Sequence, residues 1–303
     1  MWDDYQLLDF GNGRKLERFG AYVVDRPCPA ADGLECSLPH WESDFAFERK
    51  RRGEGRWRGQ PPQQWEIGVG GWRMSLKPTP FGHLGIFPEQ HANWQWIDKQ
   101  VRRVVAANAR HAVGPAPIEF ENVDAPQSET APIVKVLNLF AYTGASTLAA
   151  AAAGAEVTHV DSSKTVVLWA RENARKSGLA EAPIRWIHED ARKFVRRELK
   201  RGHRYDAVIL DPPTYGRGAS GQAWRIAFDL PALLADCARL TKGRRKFLLL
   251  SCHSPGHGPA VLEAMLADCV FGSCQCNARA ESISLKAVDG RNLSAGALVR
   301  WPG

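Results

Sequence analysis

The sequence predicts an α/β fold: a mostly parallel, doubly wound sheet covered by helices, with a smaller β-rich N-terminal domain in front of it. Three observations lead there. From Val134 onward, short apolar runs alternate with stretches of helical character, the pattern of a parallel sheet with helices on both faces. Residues 1–115 differ in texture, with most of the tryptophans, frequent proline and short alternating runs. Between the two, residues 116–132 are rich in proline and poor in strong core formers, which reads as a linker. The predicted division is therefore 1–115, 116–132 and 133–303.

The elements follow in order. Residues 64–69 and 72–76 alternate apolar and polar around Gly70-Gly71, as the two strands of a hairpin should. Residues 93–107 read as a helix. Residues 134–139 form a buried strand, and 145–153 an alanine-rich helix stopped by Gly154; alanine is the best helix former. A strand at 156–160, a helix at 164–177 capped by Gly178 and a strand at 184–188 come next. A basic helix starts at Ala191. Strands at 205–210 and 246–251 complete the pattern, with helices near 224–240 and 259–270.

Composition narrows the function classes. The chain has 303 residues, of which 44% are hydrophobic and 24% charged, so a packed core is expected and global disorder is excluded. No run is long and apolar enough to span a bilayer, and the acidic start Met1-Trp2-Asp3-Asp4 lacks the apolar region of a secretory signal. Seven cysteines, an odd number without paired zinc-finger spacing, suggest free thiols, a cytoplasmic location and no metal site. The net charge of +7 suits an anionic partner, since Lys and Arg gain on phosphate by releasing counterions.

In a doubly wound sheet, ligands sit beyond the carboxyl ends of the strands. The first strand runs into Phe140-Ala141-Tyr142-Thr143-Gly144, where Gly144 allows a tight turn and the next helix offers free N–H groups. The second ends in Asp161, a carboxylate suited to both hydroxyls of a ribose. The third is followed by Glu189-Asp190-Ala191, where an acid can accept from an adenine amino group. A dinucleotide would need G-x-G-x-x-G to make room for its pyrophosphate. One glycine between bulky neighbours suits S-adenosylmethionine (SAM), which has no phosphate. The fourth strand ends in Asp211-Pro212-Pro213, a rigid loop where proline stops the sheet.

These segments resemble the class I SAM-dependent methyltransferases, which have a Rossmann-like sheet. The resembling residues are 136–144, Val160-Asp161-Ser162-Ser163, Glu189-Asp190 and Asp211-Pro212-Pro213. More narrowly, the chain is similar to the bacterial family containing the large-subunit rRNA cytosine-C5 methyltransferases. Leu84-Gly85-Ile86-Phe87-Pro88-Glu89-Gln90, Ala170-Arg171-Glu172-Asn173-Ala174, Gly290-Arg291-Asn292-Leu293 and Arg300-Trp301 carry that likeness. The resemblance implies that residues 140–144 line the methionine part of SAM and that Asp161 holds the ribose. Ser162, Ser163 and Lys164 would flank it, and Asp190 with Ala191 would meet the adenine. Glu89 and Gln90 would close over the methionine end, with Asp211 and Pro212 beside the sulfonium.

The resemblance also implies a nucleophile. Cytosine C5 is methylated after a thiolate adds at C6, and Cys252 stands at the end of the fifth strand, where that family keeps its cysteine. A charged His253 beside it would depress the thiol pKa. RNA is the expected partner, with ribosomal RNA foremost. Arg49, Lys50, Arg51, Arg52, Arg56 and Arg58 would track phosphates and Phe47 and Trp57 would stack on bases. The basic helix after Ala191 reads as a solvated outer face. Alternatives are N-methylation of RNA, protein or a small molecule, for which Thr214 stands where amino-methylating relatives carry an aromatic, and a non-catalytic RNA-binding factor that keeps SAM. A dehydrogenase is the remaining alternative.

Overall fold

The N-terminal region is built from alternation and tight turns. The computed structural model describes residues 2, 4–50, 55–112, 132–217, 221–273 and 276–303; the predicted linker, apart from Pro132, lies outside them, as do Arg51 and Arg52. Strands β1 (Tyr5–Gly11), β2 (Arg14–Phe19), β3 (Tyr22–Pro27), β4 (Phe45–Arg49) and β5 (Gly55–Gly59) form a five-stranded sheet in that order. Asn12 and Gly13, both at positive φ, make the two-residue turn between β1 and β2. Asn-Gly is a strong hairpin signal, and it marks two strands that the hydrophobic pattern did not single out. The hairpin β6 (Trp65–Val69) and β7 (Trp72–Leu76) forms where expected. Helix α1 (His91–Ala112) is longer than predicted at both ends.

The second half alternates as predicted. Its elements are β8 (Lys135–Leu139), α2 (Ala145–Ala152), β9 (Glu156–Asp161), α3 (Lys164–Lys176), β10 (Ile184–His188), α4 (Ala191–Lys200) and β11 (Ala207–Leu210). A short hairpin, β12 (Tyr215–Arg217) and β13 (Ala223–Arg225), was not anticipated. Then come α5 (Ile226–Leu240), β14 (Phe247–Cys252), α6 (Pro259–Leu266), β15 (Arg279–Lys286) and β16 (Asn292–Trp301). Seven strands pair in the order β10-β9-β8-β11-β14-β16-β15. The first five are parallel, and β16 runs antiparallel to both its neighbours. The chain leaves β8 toward β9 on one side and returns to β11 on the other, so the switch point lies between the carboxyl ends of β8 and β11.

The core explains what covers each face. Along β14, Phe247 and Leu249 join an apolar cluster that also contains Leu7, Phe19, Phe45, Met74 and Leu84 of the N-terminal region. Leu248 and Leu250 join the opposite cluster with Phe194, Leu234 and Leu262 from the helices. Successive side chains of a strand point to opposite faces, so one face of the main sheet is buried against helices and the other shares its core with the N-terminal strands. Among the described residues, no helix is long and apolar enough to cross a membrane.

A buried carboxylate links the first strand to the last hairpin. Asp9 is fully buried and accepts from the backbone N–H groups of Phe10, Ser37 and Leu38 and from the Trp41 indole. It also pairs with Arg291, whose guanidinium lies 4.3 Å from the centre of the Phe10 ring. The Val288 N–H donates to the Leu7 carbonyl at 3.0 Å. Replacing Asp9 by alanine removes the acceptor of these four hydrogen bonds, one of them fully buried, and the partner of Arg291. Asp9→Ala is expected to cost about 3 kcal/mol in urea unfolding, and a loss below about 1 kcal/mol would show that the contact is dispensable.

Candidate active site

The loop after β8 holds an unusual backbone. Phe140, Tyr142 and Gly144 have φ of 55°, 48° and 93°. Positive φ is costly for residues with a Cβ and persists only where surrounding contacts enforce it. The contacts are visible here. The Ala141 N–H donates to the Val160 carbonyl at 3.1 Å, and that of Gly144 to the Ala141 carbonyl at 3.1 Å. The Tyr142 N–H donates to Asp161 Oδ2 at 2.9 Å, while Ser163 N–H donates to Oδ1 at 2.9 Å. At Gly144 a Cβ would come within 3.0 Å of that of Ala170. Thr143 donates to the Gly85 carbonyl at 2.6 Å, which anchors the 84–90 segment over the loop.

Two adjoining clefts meet at Phe140. The first is lined by Phe87, Gln90, Asn138, residues 140–146 and Asp211, with Trp94 behind. The second is lined by Asp161, Ser162, Glu189, Asp190, Ala191, Pro213 and Trp224. The Trp224 ring stands 4.8 Å from that of Phe140, and its indole donates to the Pro213 carbonyl at 2.7 Å. Under the first cleft, Asn138 donates to Thr147 at 2.9 Å, and Thr147 meets His159 Nδ1 at 2.9 Å. Burial pushes the His159 pKa down to about 3, so this support is neutral.

The donor set fits SAM and does not fit a dinucleotide. The N–H groups of Ala141, Tyr142 and Gly144 are already used within the protein, so these three are not offered to a diphosphate. Asp161 accepts from backbone N–H groups on each oxygen and has further lone pairs that could accept from ribose hydroxyls. Burial raises its pKa against those bonds. Asp190 is occupied differently. It caps α4 through the N–H groups of Arg192 and Lys193 and pairs with the Arg192 guanidinium at 2.9 Å. Burial works against its charge, but these partners hold its pKa below the usual carboxylate range.

At the methionine end, one carboxylate is fixed from three sides. Gln90 Nε2 donates to Asp211 Oδ2 at 3.2 Å and to Ser251 Oγ at 3.1 Å. Ser251 donates to Asp211 Oδ1 at 2.8 Å, and His253 Nε2 lies 3.4 Å from the same oxygen. His253 Nδ1 faces the Ala295 carbonyl, and Nε2 also lies 3.1 Å from Gln90 Nε2; a protonated ring would donate to both Asp211 and Ala295. Burial opposes that charge, but Asp211 overrides it and raises the His253 pKa to about 9. Burial likewise pushes Asp211 up, and the charge of His253 and the Ser251 bond bring it below the usual range.

The sequence-predicted residues divide accordingly. Gln90, residues 140–144 and Asp211 share the first cleft, and Asp161, Ser162, Asp190 and Ala191 the second. Ser163 and Lys164 begin α3 at its edge, Lys164 being exposed, and Pro212 is buried behind the loop. Glu89 lines a third cavity instead. Cys252 is 1% exposed and sits in the helix-side apolar cluster. Burial raises its thiol pKa. The expected depression by His253 is absent, because the strand sends Cys252 and His253 to opposite faces and His253 pairs with Asp211. Trp94, Trp224 and Ser251 were missed; a tryptophan in a polar stretch and a serine in an apolar strand carry no mark of a cleft in sequence.

Comparison with known proteins agrees with the geometry. A profile described as S-adenosylmethionine-dependent methyltransferase matches residues 125–263. The solved SAM-dependent methyltransferase of Agrobacterium tumefaciens is 34% identical, with a TM-score of 0.83 over 99% of this chain and 91% of its own. This chain belongs to the SAM-dependent methyltransferases. Segments also resemble the ribosomal RNA large subunit methyltransferase K/L of Shewanella frigidimarina (34% identity over 107 residues) and methyltransferase I of Aeromonas salmonicida (39% over 82). Those matches cover 35% and 27% of this chain, and 15% and 21% of those relatives.

When bound, SAM supplies an electrophilic methyl group. Asp161 and the 140–144 loop are the groups that would hold it, and Asp211 would stand at the methyl end, so that catalysis would rest on placement. Asp161→Ala should weaken SAM binding at least about tenfold in calorimetry, and unchanged affinity would remove Asp161 from the site. The Asp211–His253 pair also has a pH signature. The raised His253 pKa contributes stability that is whole below about 6.5 and lost as pH rises through about 9. The lowered Asp211 pKa contributes stability present above 3.8 and lost in acid below it. In Asp211→Asn, NMR titration should find the His253 pKa well below about 9; an unmoved value would deny the pairing.

Proposed function

We propose that this methyltransferase acts on RNA, with ribosomal RNA as substrate and cytosine C5 as the acceptor. The observation that carries the RNA reading is the position of the basic edge of β4 and β5 beside the cofactor cleft. Arg49 lines a cavity whose wall includes Phe87, and Phe87 also lines the SAM cleft. Arg49, Lys50, Arg56 and Arg58 are exposed, the last two sharing Glu48 at 3.4 and 2.6 Å. Residues 1–115 then serve as the RNA-contacting domain. The names of the ribosomal RNA relatives and the net charge of +7 support the same substrate, for which a cytoplasmic location is the matching proposal.

For C5 chemistry, Cys252 adds to C6 of the base as thiolate, C5 takes the methyl group, and loss of the C5 proton expels the thiol. Asp211 stands beside the reacting carbon to take that proton. Because Cys252 is buried, RNA must open the end of β14 to reach it. A second reading is favoured by a specific observation: the ionised Asp211 is oriented by Gln90, Ser251 and His253, as a carboxylate holding an amino group for N-methylation would be.

Transfer from radiolabelled SAM to ribosomal RNA of cells lacking the gene, followed by digestion to nucleosides, tests both. The expected product is 5-methylcytidine, with a covalent adduct on 5-fluorocytosine RNA for wild type and none for Cys252→Ala. An N-methylated nucleoside from an active Cys252→Ala variant would establish the second reading. Label in protein alone would reject RNA as substrate.

A further inference from the structure

Glu89 and Gln90 are neighbours in one short turn, Pro88–Gln90, yet they face different cavities. Gln90 lines the SAM cleft. Glu89 lines a separate cavity of about 170 Å³, together with Lys15, Phe47, Arg49, Phe81 and Phe87. The charge of Glu89 bears on Arg26 and Tyr5 on one side and on His253 on the other.

The cavity has the chemistry of a nucleobase pocket. Its wall is aromatic: the Phe87 ring lies 5.2 Å from that of Tyr142 in the SAM cleft and 5.3 Å from that of His83, and Phe81 is 53% exposed at the rim. Its mouth is basic, through Lys15 and Arg49, and the β4–β5 edge is tied to it where the Gly55 N–H donates to the Pro80 carbonyl at 3.0 Å. Lys15 and Arg26 are committed to Glu17, at 3.0 and 2.5 Å. Glu89 is uncommitted. Neither of its oxygens has a hydrogen-bond donor among the described residues, and Oε2 is fully buried without a partner. A carboxylate held away from water without donors is costly unless a ligand supplies them.

We propose that this cavity receives the base drawn out of the RNA stack and that Glu89 accepts a hydrogen bond from its exocyclic amino group. The inference rests on the RNA reading above and adds a criterion for the base. A ring with an amino group satisfies the carboxylate. The deaminated ring places a carbonyl oxygen against it, two acceptors face to face. A site built to bind a donor rejects the analogue that lacks it far more strongly than an apolar pocket rejects a change in size. Phe87 supplies the stacking face, and the nearby Tyr142 ring joins the base pocket to the methyl donor's cleft.

The test uses the full-length protein and a short RNA spanning the position labelled in ribosomal RNA, made with its native base or with the deaminated base in its place. Wild type should prefer the native base by about a hundredfold or more in kcat/KM. Glu89→Leu should lose about a hundredfold on the native RNA while binding SAM with unchanged Kd in calorimetry. Glu89→Gln, which keeps a carbonyl acceptor and gains an amide donor, should retain more activity than leucine and accept the deaminated RNA better than wild type does. Weakened SAM binding in Glu89→Leu would return Glu89 to the cofactor and overturn the inference, as would base preference unchanged by Glu89→Gln. If wild type methylates no RNA at all, the substrate reading itself falls, and this inference with it.

Discussion

The site depends on the carboxamide of Gln90. Its nitrogen donates to Asp211 and Ser251 at the ends of β11 and β14, and its oxygen accepts from Asn93 at 2.5 Å. Asn93 in turn accepts from Arg300 of β16, and Arg300 pairs with Glu281 of β15 at 3.1 Å. The N-terminal region, two parallel strands and the antiparallel hairpin are thereby joined at one buried amide. Gln90 is 6% exposed, so these bonds have no competing water, and a polar network is worth most where it is dry and complete. Gln90 lines the SAM cleft, and its neighbour Glu89 lines the second cavity, with Phe87 shared between the two.

The acidic residues at the strand ends have diverged in use, and their partners say why. Asp161 is bound only by backbone N–H groups of the loop it stabilises, which leaves lone pairs pointing outward. Asp190 Oδ1 is taken up by the start of α4, and Oδ2 pairs with Arg192, which is itself tied to Asp229 at 2.8 Å. Its position in the cleft is that of a wall. Asp211 is ionised because a histidine shares its burial. The same residue type thus stands as a brace for a loop, as a helix cap and as half of an ion pair, according to which donors surround it.

Much of this was legible because the strands are apolar runs that stop at polar residues. Lys135–Leu139, Glu156–Asp161, Ile184–His188 and Ala207–Leu210 announce their own carboxyl ends, and a parallel sheet brings those ends together. The loop from Phe140 to Gly144 and the carboxylate of Asp161 could be placed in the site from that rule alone. The strands β1 to β5 were harder, since their apolar runs are short and interrupted by charges such as Glu17 and Arg26, which the fold buries as a pair. The hairpin of β12 and β13 has three residues per strand, too few for a period to be read.

By itself the sequence determined the α/β order, the strand ends and the loss of the glycines that a diphosphate needs, because local periodicity and turn chemistry suffice for these. Only the tertiary structure decided which way neighbouring side chains face. Ser251 and His253 look onto Asp211 while Cys252, between them, looks into the helix-side core, and Gln90 and Glu89 part into two cavities. Alternation along a strand or around a tight turn says that neighbours diverge. What lies on each side is settled by the packing of the N-terminal strands with α1 and α2 against one face and of α4, α5 and α6 against the other.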